Sequence, residues 1–468
     1  MPVRLVAALA LLAAGTLLAT GPVSARQPRP ISLIVTGGIV VTMDAGFRVL
    51  SPGAVAVDGT TIAAVGTPAA IAEAYTAKET IDAAGHVVMP GLINTHTHAP
   101  MVMYRGLADD LALMDWLQKY IFPAEARTLT PAFVRVGAAL AVLEMIQSGT
   151  TTYADMYYFE EEIARVTRAA GMRGVLGQTI IEFPVADAKT PADALARTEA
   201  FLQEFARDPL ITPAIAPHSM YTLDATSLLR ARDLAIKYGA PILIHVAETE
   251  DEVRMSRGRF GRSPVGYLDS LRFWGPHIVA AHGVWVEPDE IALLQRHNVA
   301  ISHNPESNMK LASGTAPVPA YLASGIAIGL GTDGAASNND LDMFEAMRQA
   351  AFLHKLVSKD PQAVSARAAL EMATIGGARV LGKQASLGSL ETGKLADLIV
   401  VRMNRARHTP MYDPVSHLVY VTRGDDVASV VVNGQVLMRD GRMQTLDEPA
   451  ILAAARAAAD EVRKAVTP

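Results

Sequence analysis

Between residues 89 and 387 the chain alternates between two textures, short apolar runs that end in polar residues and helical stretches that follow them. The run ends read "LINTHTH", "TTTYADM", "GVLGQTII", "TPAIAPHS", "PILIHVAE", "HIVAAHGV", "VAISHNP" and "IAIGLGTDG". Helical patterns over Pro131 to Ser148, Ala225 to Tyr238 and Leu341 to Leu356 separate them. A parallel strand covered by helices is buried on both faces, so near-continuous apolar runs are what such a sheet requires. Eight strand–helix units close into a barrel, whereas an open doubly wound sheet is the competing arrangement. The open sheet would carry a glycine-rich phosphate fingerprint after its first strand, and none stands there. The expected fold is α/β, a (β/α)8 TIM barrel.

Both ends of the chain have another texture. Short β-like runs at Ser32 to Thr42, Ala54 to Val57, Thr61 to Val65 and His86 to Met89 are punctuated by Gly, Asp and Pro. Similar runs return at Ala396 to Arg402 and Ala428 to Val436, where Asn433-Gly434 signals a hairpin. Each end is too short for its own domain, so residues 31–88 and 388–447 are expected to pair into one small β-sandwich. Residues 448–468 are expected to form a C-terminal helix.

Residues 1–25 resemble an export signal. Arg4 precedes the apolar stretch Leu5 to Ala19, Gly21-Pro22 breaks it, and Val23-Ser24-Ala25 offers small residues at a cleavage site. The expected location is secreted, in a bacterial periplasm, with no membrane anchor after cleavage. The 468 residues contain no cysteine, which excludes disulfides, thiolate chemistry and a lipid attachment point near the cut. A net charge of −6 gives no footprint for nucleic acid.

In a (β/α)8 barrel the chemistry collects at the C-terminal strand ends. Here His96 and His98 end the first strand and His218 the fourth. His245 and Glu248 end the fifth, His282 the sixth, His303 and Asn304 the seventh, and Asp333 the eighth. Alternate residues of a strand share a face, so His96 and His98 can address one ion. With His245 and Asp333 they form a three-nitrogen, one-oxygen set suited to one divalent cation, Zn²⁺ or Fe²⁺, with a place left for water. Such an ion lowers the pKa of that water towards ~7. Glu248 stands where a carboxyl can shuttle a proton, while the acids of the "ETEDE" stretch after it are expected to be solvated. Asp333 could also cap the next helix, a role its neighbours Ser337 and Asn338 could share. No lysine follows the fourth strand to bridge a second ion, so one metal is expected.

The segments "PGLINTHTH", "HVAE", "HGVW", "SHNPESNMKLASG", "GTDGAASNNDLDMF" and "GSLETGKLADLIVV" resemble the amidohydrolase superfamily. Within it they are most similar to 5-methylthioadenosine/S-adenosylhomocysteine deaminases and related chlorohydrolases. The resemblance implies that His96, His98, His245 and Asp333 hold one metal, usually zinc, and that Glu248, His282 and Asp333 are catalytic. Glu248 would protonate the ring nitrogen beside the attacked carbon, and Asp333 with His282 would take the proton of the attacking water. It further implies substrate contacts from Trp116, Glu125 and His218, with His303 and Asn304 lining the cavity, and a homo-oligomer. The expected activity is hydrolytic deamination of an adenine-type nucleoside, a cyclic amidine, with release of ammonia. Members that accept S-adenosylhomocysteine carry an arginine after the third strand to grip its carboxylate. Here "GVLGQTIIEFP" offers Gln178 and Glu182 instead, which favours 5'-methylthioadenosine or adenosine. Two alternatives stay open: hydrolysis of another heterocycle (triazine dechlorination or deamination, guanine, a cyclic amide), and a catalytically dead periplasmic binding protein.

Overall fold

The computed structural model describes Met1 and residues 27–466, so the expected export segment lies, apart from Met1, outside the described residues. Eight parallel strands form one sheet in sequence order: β1 (Leu92–Thr97), β2 (Thr150–Tyr157), β3 (Arg173–Ile180), β4 (Ile211–Pro217), β5 (Ile242–Val246), β6 (Ile278–His282), β7 (Ala300–His303) and β8 (Ile328–Leu330). The chain beyond β8 returns to β1. Asp333 donates its backbone N–H to His96 O at 3.0 Å, and Thr95 Oγ1 donates to Leu330 O at 2.9 Å. Every residue of β1, β2, β3, β5 and β6 is buried, as two covered faces require.

Among the helices are α1 (Leu113–Thr128), α2 (Pro131–Gln147), α3 (Glu250–Phe260), α4 (Pro305–Lys310), α5 (Met343–Ser358) and α6 (Glu448–Val466). Their starts follow local chemistry. Thr130 caps α2 by accepting the Phe133 N–H, with Pro131 in the first turn where its missing N–H costs nothing. Thr249 and Asp342 cap α3 and α5 in the same way. The helix after β8 thus takes its cap from Asp342, and the Asp333 side chain is left for other work. Within α1, Leu117–Ile121 form a wider π turn, a distortion that is frequent at functional sites.

The chain ends do pair. His86–Pro90 lies antiparallel to Leu398–Arg402 in a seven-stranded sheet that also holds Ile39–Val41 and Val427–Val432. A four-stranded sheet of Arg29–Thr36, Ala54–Asp58, Thr61–Gly66 and Tyr75–Asp82 belongs to the same sandwich. Leu33, Val35, Val57, Val88, Leu398 and Val431 fill its interior. Fully burying each of these contributes about 1.5–3 kcal/mol. The single run expected over Ser32 to Thr42 is two strands in different sheets. Gly37, at φ 90°, turns the chain between them, and a Cβ on Gly38 would sit 2.7 Å from Ala83 O. The Asn433-Gly434 hairpin forms as expected, between Val432 and Gln435, with both turn residues at positive φ.

Candidate active site

The imidazoles of β1 and β5 converge, and their outward atoms explain why. His98 Nδ1 donates to Met156 O at 2.7 Å, and His245 Nδ1 donates to His218 O at 2.7 Å. A carbonyl only accepts, so each ring carries its proton on Nδ1 and turns a bare Nε2 inward. Those two Nε2 atoms lie 3.3 Å apart. Two lone pairs at that distance repel unless a cation lies between them. His96 Nε2 is buried with no hydrogen-bond partner among the described residues. Asp333 Oδ1 lies 3.4 Å from His96 Nε2 and 3.3 Å from His98 Nε2. Burial lowers the pKa of His96 to about 4 and that of His245 well below the usual range, keeping both rings neutral and able to ligate. Burial would raise the Asp333 pKa, but His96, His98 and His282 outweigh it and hold the carboxyl well below the usual range. The donor set fits one divalent metal ion, and the chain carries a site for it.

Glu248 and His282 complete the polar centre. Glu248 Oε2 lies 3.8 Å from His282 Nε2, which is 4.0 Å from Asp333 Oδ2. Burial raises the Glu248 pKa, with His282 opposing. Burial lowers that of His282, but Glu248 and Asp333 reverse it and raise the net value. Ala247, His282 and Asp333 hold the backbone at φ 51°, 72° and 64°, a left-handed conformation that costs of order 1–3 kcal/mol for a non-glycine residue. All three stand at strand ends around the cluster.

Glu252 was not foreseen. The acid-rich stretch after Glu248 is not uniformly solvated, because Glu252 turns inward and is 3% exposed. Its Oε1 accepts the Ala247 N–H at 3.0 Å and its Oε2 the Glu248 N–H at 2.8 Å, clamping the backbone that presents Glu248. Burial pushes its pKa up to about 7 despite these bonds. A signal existed: Thr249 and Glu252 have the spacing of a capping box. The glutamate reaches past the cap to the two residues before it.

Above the cluster a cavity is walled by Trp116, Phe122, Tyr157, Tyr158 and Tyr221, with Glu125, His218 and Glu248 among its polar groups. Trp116 and Glu125 arrive on α1. Tyr157 donates its hydroxyl to Glu125 Oε1 at 2.5 Å, and burial raises the Glu125 pKa to about 7 against that bond. His218 has Ser219 Oγ and Thr222 Oγ1 at 3.2 and 3.1 Å from Nδ1, and burial lowers its pKa to about 3.

His303 and Asn304, expected to line this cavity, do not. Ser302 Oγ faces the barrel interior, 2.6 Å from Thr95 Oγ1, so its neighbour His303 points to the helix layer. There His303 Nε2 lies 3.0 Å from His354 Nε2 on α5. Asn304 returns inward but stops behind His282, its Nδ2 3.3 Å from the ring Nδ1. The same alternation removes Gln178 from the substrate side. It donates to Asp187 Oδ2 at 2.8 Å, while Thr179 lines the cavity.

Known proteins resemble this chain in sequence and in fold. A 5-methylthioadenosine/S-adenosylhomocysteine deaminase of Syntrophobacter fumaroxidans is 47% identical over 415 residues, 89% of this chain and 94% of that one. A 5'-deoxyadenosine deaminase of Methanosarcina mazei is 43% identical over 432 residues, 92% of this chain and 98% of that one. The crystal structure of a zinc-bound adenosine deaminase from Xanthomonas campestris superposes with a TM-score of 0.92 at 38% identity, covering 93% of this chain and all of the other. Residues 87–437, which span every strand of the barrel and the site at its mouth, match the amidohydrolase family, and this chain belongs to it.

Proposed function

We propose that this hydrolytic enzyme deaminates adenine-type nucleosides and releases ammonia, with zinc as its metal. One observation carries the reading: buried Glu248 and the Asp333–His282 pair flank the metal-ligand cluster at the floor of an aromatic-walled cavity. A divalent ion held by His96, His98, His245 and Asp333 supplies Lewis acidity and lowers the pKa of water at neutral pH. The remaining work falls to side chains. Trp116 and the tyrosines stack on a flat heterocycle and exclude water, and Glu125 accepts hydrogen bonds from sugar hydroxyls. Glu248, its pKa raised by burial, gives a proton to the ring nitrogen beside the amino-bearing carbon. Asp333 Oδ2 and His282 Nε2 take the proton lost by the attacking water and return it to the amino group. That group leaves as ammonia, the added oxygen gives its remaining proton to Glu248, which is thereby restored, and the ring keeps the oxygen as a carbonyl.

The outer rim supports a 5'-methylthio or unsubstituted sugar over a tail ending in a carboxylate. Leu117, Phe122 and Tyr221 are shared with a recess that also contains Met114, Phe183 and Met255, apolar and thioether surfaces. An arginine does stand there, Arg259 from α3, which the segment after β3 could not reveal. Glu182 and Asp224 line the same recess and leave it net negative. The test is ammonia release by the zinc-loaded protein from adenosine, 5'-methylthioadenosine, S-adenosylhomocysteine, guanine, cytosine and an aminotriazine. Strong release from the first two and weak release from the third is expected. Silence on all adenine nucleosides would remove the reading. Residues 1–25 are further proposed to direct export, so the mature protein in the periplasmic fraction should begin at Arg26. An intact Met1 in the cytoplasmic fraction would refute that.

A further inference from the structure

The motif "SHNPESNMKLASG" contributes nothing to the metal set or to the cavity wall until its last turn, yet α4 within it lies directly behind the proton-handling pair. Two adjacent residues of this short helix face the site. Ser307 Oγ donates to Asp333 Oδ2 at 2.7 Å. Asn308 Oδ1 lies 2.9 Å from His282 Nδ1. Both are buried, as are their partners.

We infer that Ser307 and Asn308 are positioning residues for proton transfer. Asn308 holds His282 as the Nδ1–H tautomer with Nε2 open to the cavity, and Ser307 aims the free oxygen of Asp333 at the same volume.

The atoms divide accordingly. Asp333 turns Oδ1 to His96 and His98, where it also accepts the Gly334 N–H at 2.7 Å, and keeps Oδ2 for Ser307 and the His282 side. A hydroxyl has one proton to give, and directing it to Oδ2 fixes the carboxylate plane. At His282 two amides meet Nδ1, the Asn308 oxygen at 2.9 Å and the Asn304 nitrogen at 3.3 Å, and the shorter contact favours a proton on Nδ1. The imidazole's one basic lone pair is then on Nε2, within 3.8 Å of Glu248 and 4.0 Å of Asp333. Were the proton on Nε2, the Asn308 oxygen would face a lone pair, and His282 could not receive a proton on its cavity side. The Asn308 backbone is already tied into its helix and loop, accepting the Ser313 N–H at 2.8 Å. Its Nδ2, however, is buried with no hydrogen-bond partner among the described residues. A side chain kept for packing alone would be better served by leucine, of similar size and without a stranded amide. The oxygen is the part with a task.

The test has two arms, and only the kinetic one rests on the deaminase reading. In the first, the full-length zinc-loaded protein is labelled with ¹⁵N-histidine, and the His282 ring signals are assigned by their loss in His282→Gln. The expected spectrum shows a protonated Nδ1 and a bare Nε2, and in Asn308→Leu the two tautomers mix. A protonated Nε2 in the wild type overturns the inference, whatever the substrate proves to be. In the second arm, Asn308→Leu should lower kcat about 100-fold with KM and zinc content unchanged, while Asn308→Asp, which keeps an acceptor, restores most of it. A kcat within threefold of wild type in Asn308→Leu, or equal loss in both variants with one zinc each, overturns it. Should Asn308→Leu fail to fold, Ser307→Ala carries the arm, with kcat about tenfold lower at constant KM and zinc. An unchanged kcat in Ser307→Ala counts against the inference.

Discussion

Two groups of ionisable side chains are buried at opposite ends of the same barrel, and they are built on opposite principles. At the N-terminal end, Arg173 opens β3 and meets Asp397, which precedes the sandwich strand Leu398–Arg402. The guanidinium donates to both carboxylate oxygens, at 2.9 and 3.1 Å, and to Pro209 O at 3.0 Å, and the Asn433 N–H completes the set at 2.7 Å. The carboxylate faces two donors on one oxygen and one on the other, and nothing points into empty space. At the C-terminal end, three imidazoles and one carboxylate crowd together with lone pairs facing one another and His96 Nε2 unbonded. A satisfied buried pair joins parts of a fold. An unsatisfied cluster that the fold nevertheless enforces has the character of a ligand set.

The largest effects should come from emptying the unsatisfied cluster. Asp333→Ala or His245→Ala is expected to lose bound metal and to leave below about one thousandth of the turnover. Metal analysis beside ammonia release checks both. A variant that keeps one metal per chain would mean the four ligands are not the set. Glu248→Gln separates chemistry from binding: metal stays and kcat falls about 10²–10⁴-fold. Full activity would take Glu248 out of its role.

The satisfied pair should behave in reverse. Arg173→Met strands Asp397 in a buried place and should cost about 3–5 kcal/mol in denaturant unfolding, with metal per folded chain unchanged. Adding Asp397→Leu should recover most of that loss, because the penalty lies in the orphaned charge. If the single variant lost metal while remaining folded, the two ends would be coupled and the contrast would fail.

Much of this contrast could be read before the structure, and the reasons for the rest are specific. Eight run ends located the barrel and its mouth, and His96, His98, His245, Glu248, His282 and Asp333 do converge there. What composition could not supply was parity. In "AISH" and "IVAAH" the closing histidines hold the same register, since Ala281 pairs with Ser302. Ser302 takes the inward place and sends His303 to His354, and it is the left-handed turn at His282, φ 72°, that brings the other ring back to the site. Gln178 misleads for the same reason. The inward turn of Glu252 and the arrival of Arg259 from α3 depend on how a loop folds back, which no local spacing records. The Arg173–Asp397 pair spans 224 positions and joins two layers, so neither residue announces the other in the chain.

Glu125 offers the finest test, because it is an intermediate case: a buried acid in the cavity with Tyr157 as its hydrogen-bond donor. Burial raises its pKa from 4.5 to about 7, so the folded protein holds this proton across a range in which the unfolded chain has released it. For an acid shifted upward, stability falls as pH rises from the unfolded to the folded value, and it levels off above. The window is therefore about pH 4.5 to 7, and a shift of that size corresponds to about 3 kcal/mol across it. Glu125→Gln keeps the shape and an acceptor for Tyr157 but cannot ionise. The variant should match the wild type near pH 4 and become the more stable of the two by pH 8, when denaturant midpoints are compared with metal held constant. Glu252 and other buried acids titrate in both proteins and cancel in the difference. A difference curve flat in pH would mean that Glu125 is stabilised as an anion by its surroundings, which would place it with Asp397 among the satisfied charges.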